Sequence, residues 1–175
     1  KYFGIDLSVE QIKVCEAKNL NAKAISLAEV QEKFDCATAI FDVLNYIPKK
    51  ELKPFIKETN LVLNQGAYFI FDVNSLFGFE EVAQGCITID VDDKFIAIDA
   101  NFEKNKLQTD ITLFEKQETG MFSKESDSII QEYHSKEFLT KLLKESGFEI
   151  VEIKEFNLHT DDNADKLIFI CKKIA

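Results

Sequence analysis

The run Ala67 to Val73 (AYFIFDV), set behind the turn signal Gln65-Gly66, is apolar almost without interruption. A strand wetted on one face alternates apolar and polar residues, whereas a continuous run is buried on both faces, as in parallel sheets. Parallel neighbours need crossover connections, usually helices. The flanking sequence supplies such units. Phe34 to Phe41 (FDCATAIF) reads as a second strand, and Pro48 to Leu63 as a helix with Pro48 and Pro54 at or near its first turns. Earlier, Lys1 to Ile5 forms a short strand, Ser8 with Gln11 is a capping box, and a helix runs from Val9 to about Lys18. Ala22 to Leu27 is a short strand candidate. Strands alternating with helices predict an α/β sheet with right-handed crossovers.

The pattern changes at Cys86. Cys86 to Val91, Phe95 to Phe102 and Leu107 to Phe114 read as strands, joined at Asp92-Asp93 and Lys104-Asn105 by polar pieces that suit hairpins. Ser128 to His134 is a further extended stretch, leading into a helix from Lys136 to Ser146 with Gly147 just past its end. Phe148 to Phe156 and Lys166 to Lys172 close the chain as strands, with a polar, acidic loop from His159 to Asp165 between them. With no repeat or linker, residues 1–175 are expected to form one domain, with an antiparallel insertion over 86–116.

Composition excludes several functions. A net charge of −10 repels a phosphate backbone, and no Lys/Arg stripe interleaved with aromatics offsets this locally. No run of about 18 apolar residues is present to span a bilayer. Cys15, Cys36, Cys86 and Cys171 are scattered singly, without metal-site or disulfide spacing, and only His134 and His159 are available as histidine ligands. The sequence thus reads as a soluble cytoplasmic protein with no nucleic-acid or membrane partner and no metal. Lys1 opens directly on a strand pattern, as in the middle of a longer chain.

In order, these segments resemble the class I S-adenosylmethionine-dependent methyltransferases, particularly small bacterial and sugar-N-methyltransferase-like members, over essentially the whole chain. YFGIDLSVEQIKVCEAK is similar to the family's second strand and helix, and KFDCATAIFDVLNYI to its fourth strand and active-site loop. LVLNQGAYFIFDVNS resembles the fifth-strand region, EFLTKLLKESGFEIVEI the helix and sixth strand, and KLIFICKK the antiparallel seventh strand. The resemblance implies a Rossmann-like, mostly parallel sheet with an antiparallel last strand, carrying an antiparallel β roof over a small-molecule methyl acceptor.

It also implies a site. Asp6, at a strand end, would bind the cofactor ribose, since one carboxylate can accept from both vicinal hydroxyls. Its local alternative is helix capping. Leu7 would lie beside the adenine, with Ala28 and Glu29 after the third strand, although Glu29 also suits a solvated loop. Phe41, Asp42, Asn45 and Tyr46 follow the fourth strand, where open α/β sheets place ligands. Phe41, as a cofactor contact, and Tyr46, as an acceptor contact, read equally well as core aromatics. Asn45, Asn74, Phe77, Tyr133 and His134 are the other acceptor-side candidates, against a polar turn at Asn74 and plain packing at Tyr133 and His134. No catalytic residue is singled out.

The family's glycine-rich turn after its first strand is not found in these 175 residues. The resemblance therefore implies a missing first strand–helix unit, an incomplete cofactor site, and open strand edges that a homodimer is one way of covering. Two functions follow: S-adenosylmethionine-dependent methyl transfer to an N or O nucleophile by the complete protein, or a non-catalytic scaffold of methyltransferase type.

Overall fold

The computed structural model describes residues 2–158 and 163–175; residues 159–162, including His159 of the acidic loop, lie outside the described residues. The chain opens with β1 (Gly4–Asp6), α1 (Val9–Ala17) and β2 (Ala22–Ala24), and β1 and β2 pair in parallel. Ser8 begins α1 as expected, its hydroxyl accepting from the Gln11 N–H at 3.2 Å.

A second sheet is built from β3 (Phe34–Ala39), β4 (Leu63–Asn74), β9 (Phe148–Phe156) and β10 (Lys166–Lys173), in the order β3-β4-β10-β9. β3 runs parallel to β4, and β10 lies antiparallel between β4 and β9. This is the mostly parallel arrangement with an antiparallel last strand. Among the described residues no strand joins β1 to β3. The rings of Phe3 and Phe34 stack there at 6.3 Å, at the starts of the two strands.

Period-two alternation sends Phe69, Phe71 and Val73 of β4 and Phe169 and Cys171 of β10 to one face of the sheet. There α3 (Leu52–Leu61) contributes Leu52 and Ile56, and α4 (Lys136–Glu145) contributes Leu139, Leu142 and Leu143. Phe71 stacks on Phe169 at 4.8 Å, and Phe69 meets Phe148 at 5.8 Å. Burying a large apolar side chain contributes roughly 1.5–3 kcal/mol, so this layer holds the sheet. On the opposite face Tyr68 is exposed, and Ile70, Ile168 and Ile170 are half-buried.

Several expected boundaries move; the strand candidate from Ala22 ends at Ala24, and Leu27 already opens a 3-10 turn. The strand from Phe34 stops at Ala39, because Phe41 and Asp42 adopt left-handed φ of 67° and 61°. The helix expected over Pro48 to Leu63 resolves into a short α2 (Val43–Tyr46) and α3, in whose first turn Pro54 sits without loss, and Leu63 already belongs to β4.

The antiparallel sheet is a four-stranded meander of β5 (Gly85–Val91), β6 (Lys94–Glu103), β7 (Lys106–Lys116) and β8 (Phe122–Glu132), reaching well beyond residue 116. Lys104 and Asn105 both take positive φ, the backbone a two-residue hairpin requires. Its base rests on the body where Ala100, Phe102 and Leu107 meet Phe79 and Tyr133, with Phe79 stacked on Phe102 at 5.0 Å.

Candidate functional site

The carboxyl ends of β1, β2, β3 and β4 supply most of the candidate residues, and β10, running antiparallel to β4, brings its first residue to the end of β4. Lys166, that first residue, pairs with Asn74, the last of β4.

Asp6 ends β1 on the surface, its Oδ1 accepting from the Ser8 N–H at 2.8 Å. That bond engages one carboxylate oxygen and orients the group beside the start of α1. Leu7 next to it is 79% exposed. Ala28 and Glu29 fall in a single 3-10 turn, Leu27–Glu29, after β2. Glu29 accepts from the Ser26 hydroxyl at 2.7 Å and the Ser26 N–H at 2.9 Å, which hold its carboxyl below the usual range. It is engaged in a capping box.

After β3 the backbone turns sharply through Phe41 and Asp42. Left-handed φ at two consecutive non-glycine residues costs on the order of 1–3 kcal/mol each and needs over-determined surroundings. Those surroundings are visible. The Phe41 N–H donates to Asp72 Oδ1 at 2.8 Å, and Asn45 N–H donates to the Asp42 carbonyl at 2.8 Å. Lys166 Nζ donates to Asp72 Oδ2 at 3.0 Å and forms a close ion pair with Asp42. Asp72 and Lys166 are buried. Phe41, pushed outward by this turn, is 80% exposed.

The cluster holds two carboxylates and one ammonium. Burial raises the Asp42 carboxyl above its ordinary range even though Lys166 pulls the other way. Burial alone would lower the Lys166 ammonium, but its bonds to Asp42 and Asp72 outweigh this and raise it. Nearby Tyr46 is raised by its own burial and then by the Asp42 charge. A cleft of about 180 Å³ opens beside the cluster, lined by Ile40, Phe41, Asp72, Phe156, Leu158 and Lys166 among others. A larger, shallow depression of about 510 Å³ lies along α4 among its charged side chains, away from this edge.

Asn45 is fully buried and joins three elements. Its Oδ1 accepts from the Asn74 N–H at 3.0 Å, and its Nδ2 donates to the Glu132 carbonyl at 2.9 Å, tying α2 to the ends of β4 and β8. Half-buried Phe77 follows β4 near Phe79. Tyr133 crosses Phe79 edge-on at 6.2 Å, and burial, then Glu137 and Glu80, raise its phenol. His134 is 2% exposed, with Nε2 3.1 Å from the Leu44 carbonyl and 3.2 Å from that of Ile47. Burial lowers its pKa, so the neutral ring donates to these carbonyls while Nδ1 has no partner among the described residues.

The structure thus brings Phe41, Asn45, Tyr46 and Asn74 to one edge, places Tyr133 and His134 at the foot of the roof, and leaves Asp6, Leu7, Ala28 and Glu29 on the β1–β2 sheet. Sequence reasoning missed Asp72 and Lys166. Their signal was an acid inside an otherwise apolar strand, since a buried charge is rare without a partner. Among the described residues no group of three or more His, Cys, Asp and Glu is placed to hold a metal. No described helix is long and apolar enough to cross a membrane.

No protein-family model and no curated protein sequence matches the chain. Solved structures do. A S-adenosylmethionine-dependent methyltransferase from Clostridium acetobutylicum superposes with a TM-score of 0.81 at 21% identity, over 99% of this chain and 75% of that one. The sugar N-methyltransferase KedS8 from Streptoalloteichus gives 0.76 at 13% identity, over 99% and 71%. The CcbJ methyltransferase from Streptomyces caelestis gives 0.75 at 14%, over 99% and 74%. The fold is that of the class I methyltransferases.

Proposed function

We propose that the protein serves S-adenosylmethionine-dependent methyl transfer to a nucleophile on a small molecule, and that the nucleophile is an amine. The observation that carries this reading is the position of Asp6 at the carboxyl end of β1, in a fold shared with S-adenosylmethionine-dependent methyltransferases. Asp6 keeps an exposed carboxylate for the vicinal ribose hydroxyls, and Leu7 offers an apolar surface to adenine. Ala28 and Glu29, in the turn after β2, and the exposed Phe41, after β3, are the other residues we assign to the cofactor side.

The fit is partial. The adenosine half has its residues, but the glycine-rich turn that admits close backbone approach is not among these 175 residues. These residues alone hold the cofactor weakly. When bound, S-adenosylmethionine supplies an electrophilic methyl group, and the displacement needs alignment more than acid–base machinery.

The chain's own contribution lies at the other side of the edge. Two carboxylates against one ammonium leave the Asp42–Lys166–Asp72 cluster with an excess negative charge, which favours a cationic acceptor over a neutral hydroxyl. An ammonium must lose a proton before its nitrogen attacks, and Asp42, with its carboxyl raised by burial, accepts it. Tyr46, Asn74 and Phe77 flank the acceptor, Asn45 fixes the loop that carries Tyr46, and Tyr133 and His134 set the foot of the roof. KedS8 acts on a sugar nitrogen, which supports the amine reading.

Calorimetric titration with S-adenosylhomocysteine tests the cofactor half. Binding is expected at millimolar concentration, and Asp6→Ala should weaken it by about tenfold or more, as for a lost charge-assisted hydrogen bond. A wild-type protein that gives no heat would favour the second reading, a non-catalytic scaffold of the same fold.

A further inference from the structure

Phe41 carries two costs at once. Its backbone is left-handed at φ 67°, a conformation that glycine adopts freely and a bulky residue rarely does, and its ring is 80% exposed. Among the described residues no large apolar side chain is more exposed, and Leu7 at 79% comes next. Packing does not account for the turn, since a ring four-fifths in solvent contributes little to the core. Strained backbone persists where its surroundings enforce it, and such positions cluster at ligand sites.

The enforcement comes from two other strands. Asp72, buried near the end of β4, divides its carboxylate between them: Oδ1 accepts from the Phe41 N–H at 2.8 Å, and Oδ2 accepts from Lys166 Nζ at 3.0 Å. Lys166, at the start of β10, also pairs with the Asp42 carboxylate. The first left-handed residue is therefore gripped through its main chain and the second through its side chain. Both grips are charge-assisted, the stronger class of hydrogen bond.

We propose that Asp72, held by Lys166, is a positioning residue: through the Phe41 N–H it fixes the turn after β3 so that the Phe41 ring stands outward for the cofactor. This rests on the reading of Phe41 as a cofactor contact and adds two residues that act on the cofactor only through it. The benefit is pre-organisation, because a ring already held in place loses less freedom on binding.

NMR titration of wild type and variants with S-adenosylmethionine tests it, the amide spectra also establishing that each variant is folded. Phe41→Gly relieves the strain, so its Tm should stay within about 2 °C of wild type or rise, while its Kd weakens about fivefold. Asp72→Ala should weaken binding about fivefold, whereas Asp72→Asn, which keeps Oδ1 for the Phe41 N–H, should stay within about twofold. Lys166→Met should weaken it by about threefold. In the Phe41→Gly background the Asp72→Ala change should alter Kd by less than about twofold, because the ring it positions is gone; a general structural role would multiply the two losses. If Asp72→Ala does not fold, Lys166→Met in the two backgrounds makes the same comparison. Losses that multiply, an Asp72→Asn as weak as Asp72→Ala, or wild-type affinity in Phe41→Gly, Asp72→Ala or Lys166→Met overturns the proposal. So does a Phe41→Gly that melts more than about 5 °C lower, which would give the ring to the fold. A wild-type protein that does not bind S-adenosylmethionine overturns the cofactor reading and this inference with it, while the other outcomes leave that reading standing.

Discussion

Replacing Lys166 by methionine keeps the length of the stem and removes the charge between Asp42 and Asp72. The ammonium makes a 3.0 Å bond to Asp72 and a close ion pair with Asp42, all three side chains being at least four-fifths buried. Breaking a buried pair from one side leaves the other charge uncompensated and costs about 3–5 kcal/mol. Here two carboxylates are left, and the turn through Phe41 and Asp42 loses a restraint as well. In a domain of this size each kcal/mol moves Tm by ~2–4 °C, so the variant should melt roughly 10 °C lower at pH 7.5. The pH dependence is diagnostic. Burial already raises Asp42, and without Lys166 only raising influences remain on it. A carboxyl whose folded pKa lies above its unfolded value binds protons on folding, so stability contributed by that uptake is present at low pH and lost as pH rises through the folded pKa. The deficit relative to wild type should therefore shrink at pH 4.5 to about 1–2 kcal/mol, the scale of the lost hydrogen bonds. Urea titrations at both pH values measure it. A deficit that is equal at the two, or below about 1 kcal/mol at pH 7.5, would refute the assignment of Lys166 as the charge that holds the two carboxylates together.

Asn45→Ala should destabilise by roughly 2–4 kcal/mol, since it strands the half-buried Asn74 N–H and Glu132 carbonyl; hydrogen exchange should quicken at Asn74 first. Gly78→Ala drives a Cβ into the Asp165 carbonyl oxygen, and should cost about 1–3 kcal/mol in a thermal melt by forcing the turn after β4 from the entry of β10. Burial lowers the His134 pKa, so the unfolded chain binds a proton that the fold does not. Stability from this residue is present above about pH 6.5 and lost as pH falls through that value toward the folded pKa, a slope that His134→Gln should remove from pH-resolved urea midpoints. The Cys171 thiol is pushed up to about 12 by burial, so iodoacetamide at pH 8 should leave it unmodified in the native protein, as peptide mass mapping would show.

The strands of the body were legible because burial writes itself into a strand as an apolar run: AYFIFDV sits inside β4, and the Lys136 helix and the last two strands lie where expected. The hairpins were legible through polar joints at the right spacing. β8 was only partly so, because Phe122–Glu132 is polar and mostly exposed. The turn at Phe41–Asp42 was not, since nothing local in two non-glycine residues announces a left-handed backbone; its cause is Asp72 and Lys166, 30 and 124 positions further on from Asp42. Asn45 illustrates the same limit. Its residue type suits a binding edge, while its side-chain bonds to β4 and β8 come from register and topology that no local window contains.

The seat of β10 between β4 and β9 has a consequence for how the molecule is made. Residues emerge from the ribosome in order, and the meander of β5 to β8 pairs only with itself, through short loops that close quickly. β4 must wait. Its partner on the inner side is not available until residues 166–173 arrive, so the aromatic strand carrying Phe69 and Phe71 spends some ninety residues of synthesis with one edge unpaired. The roof can be finished while the body is still incomplete, and the nascent chain is most exposed to mispairing in that interval.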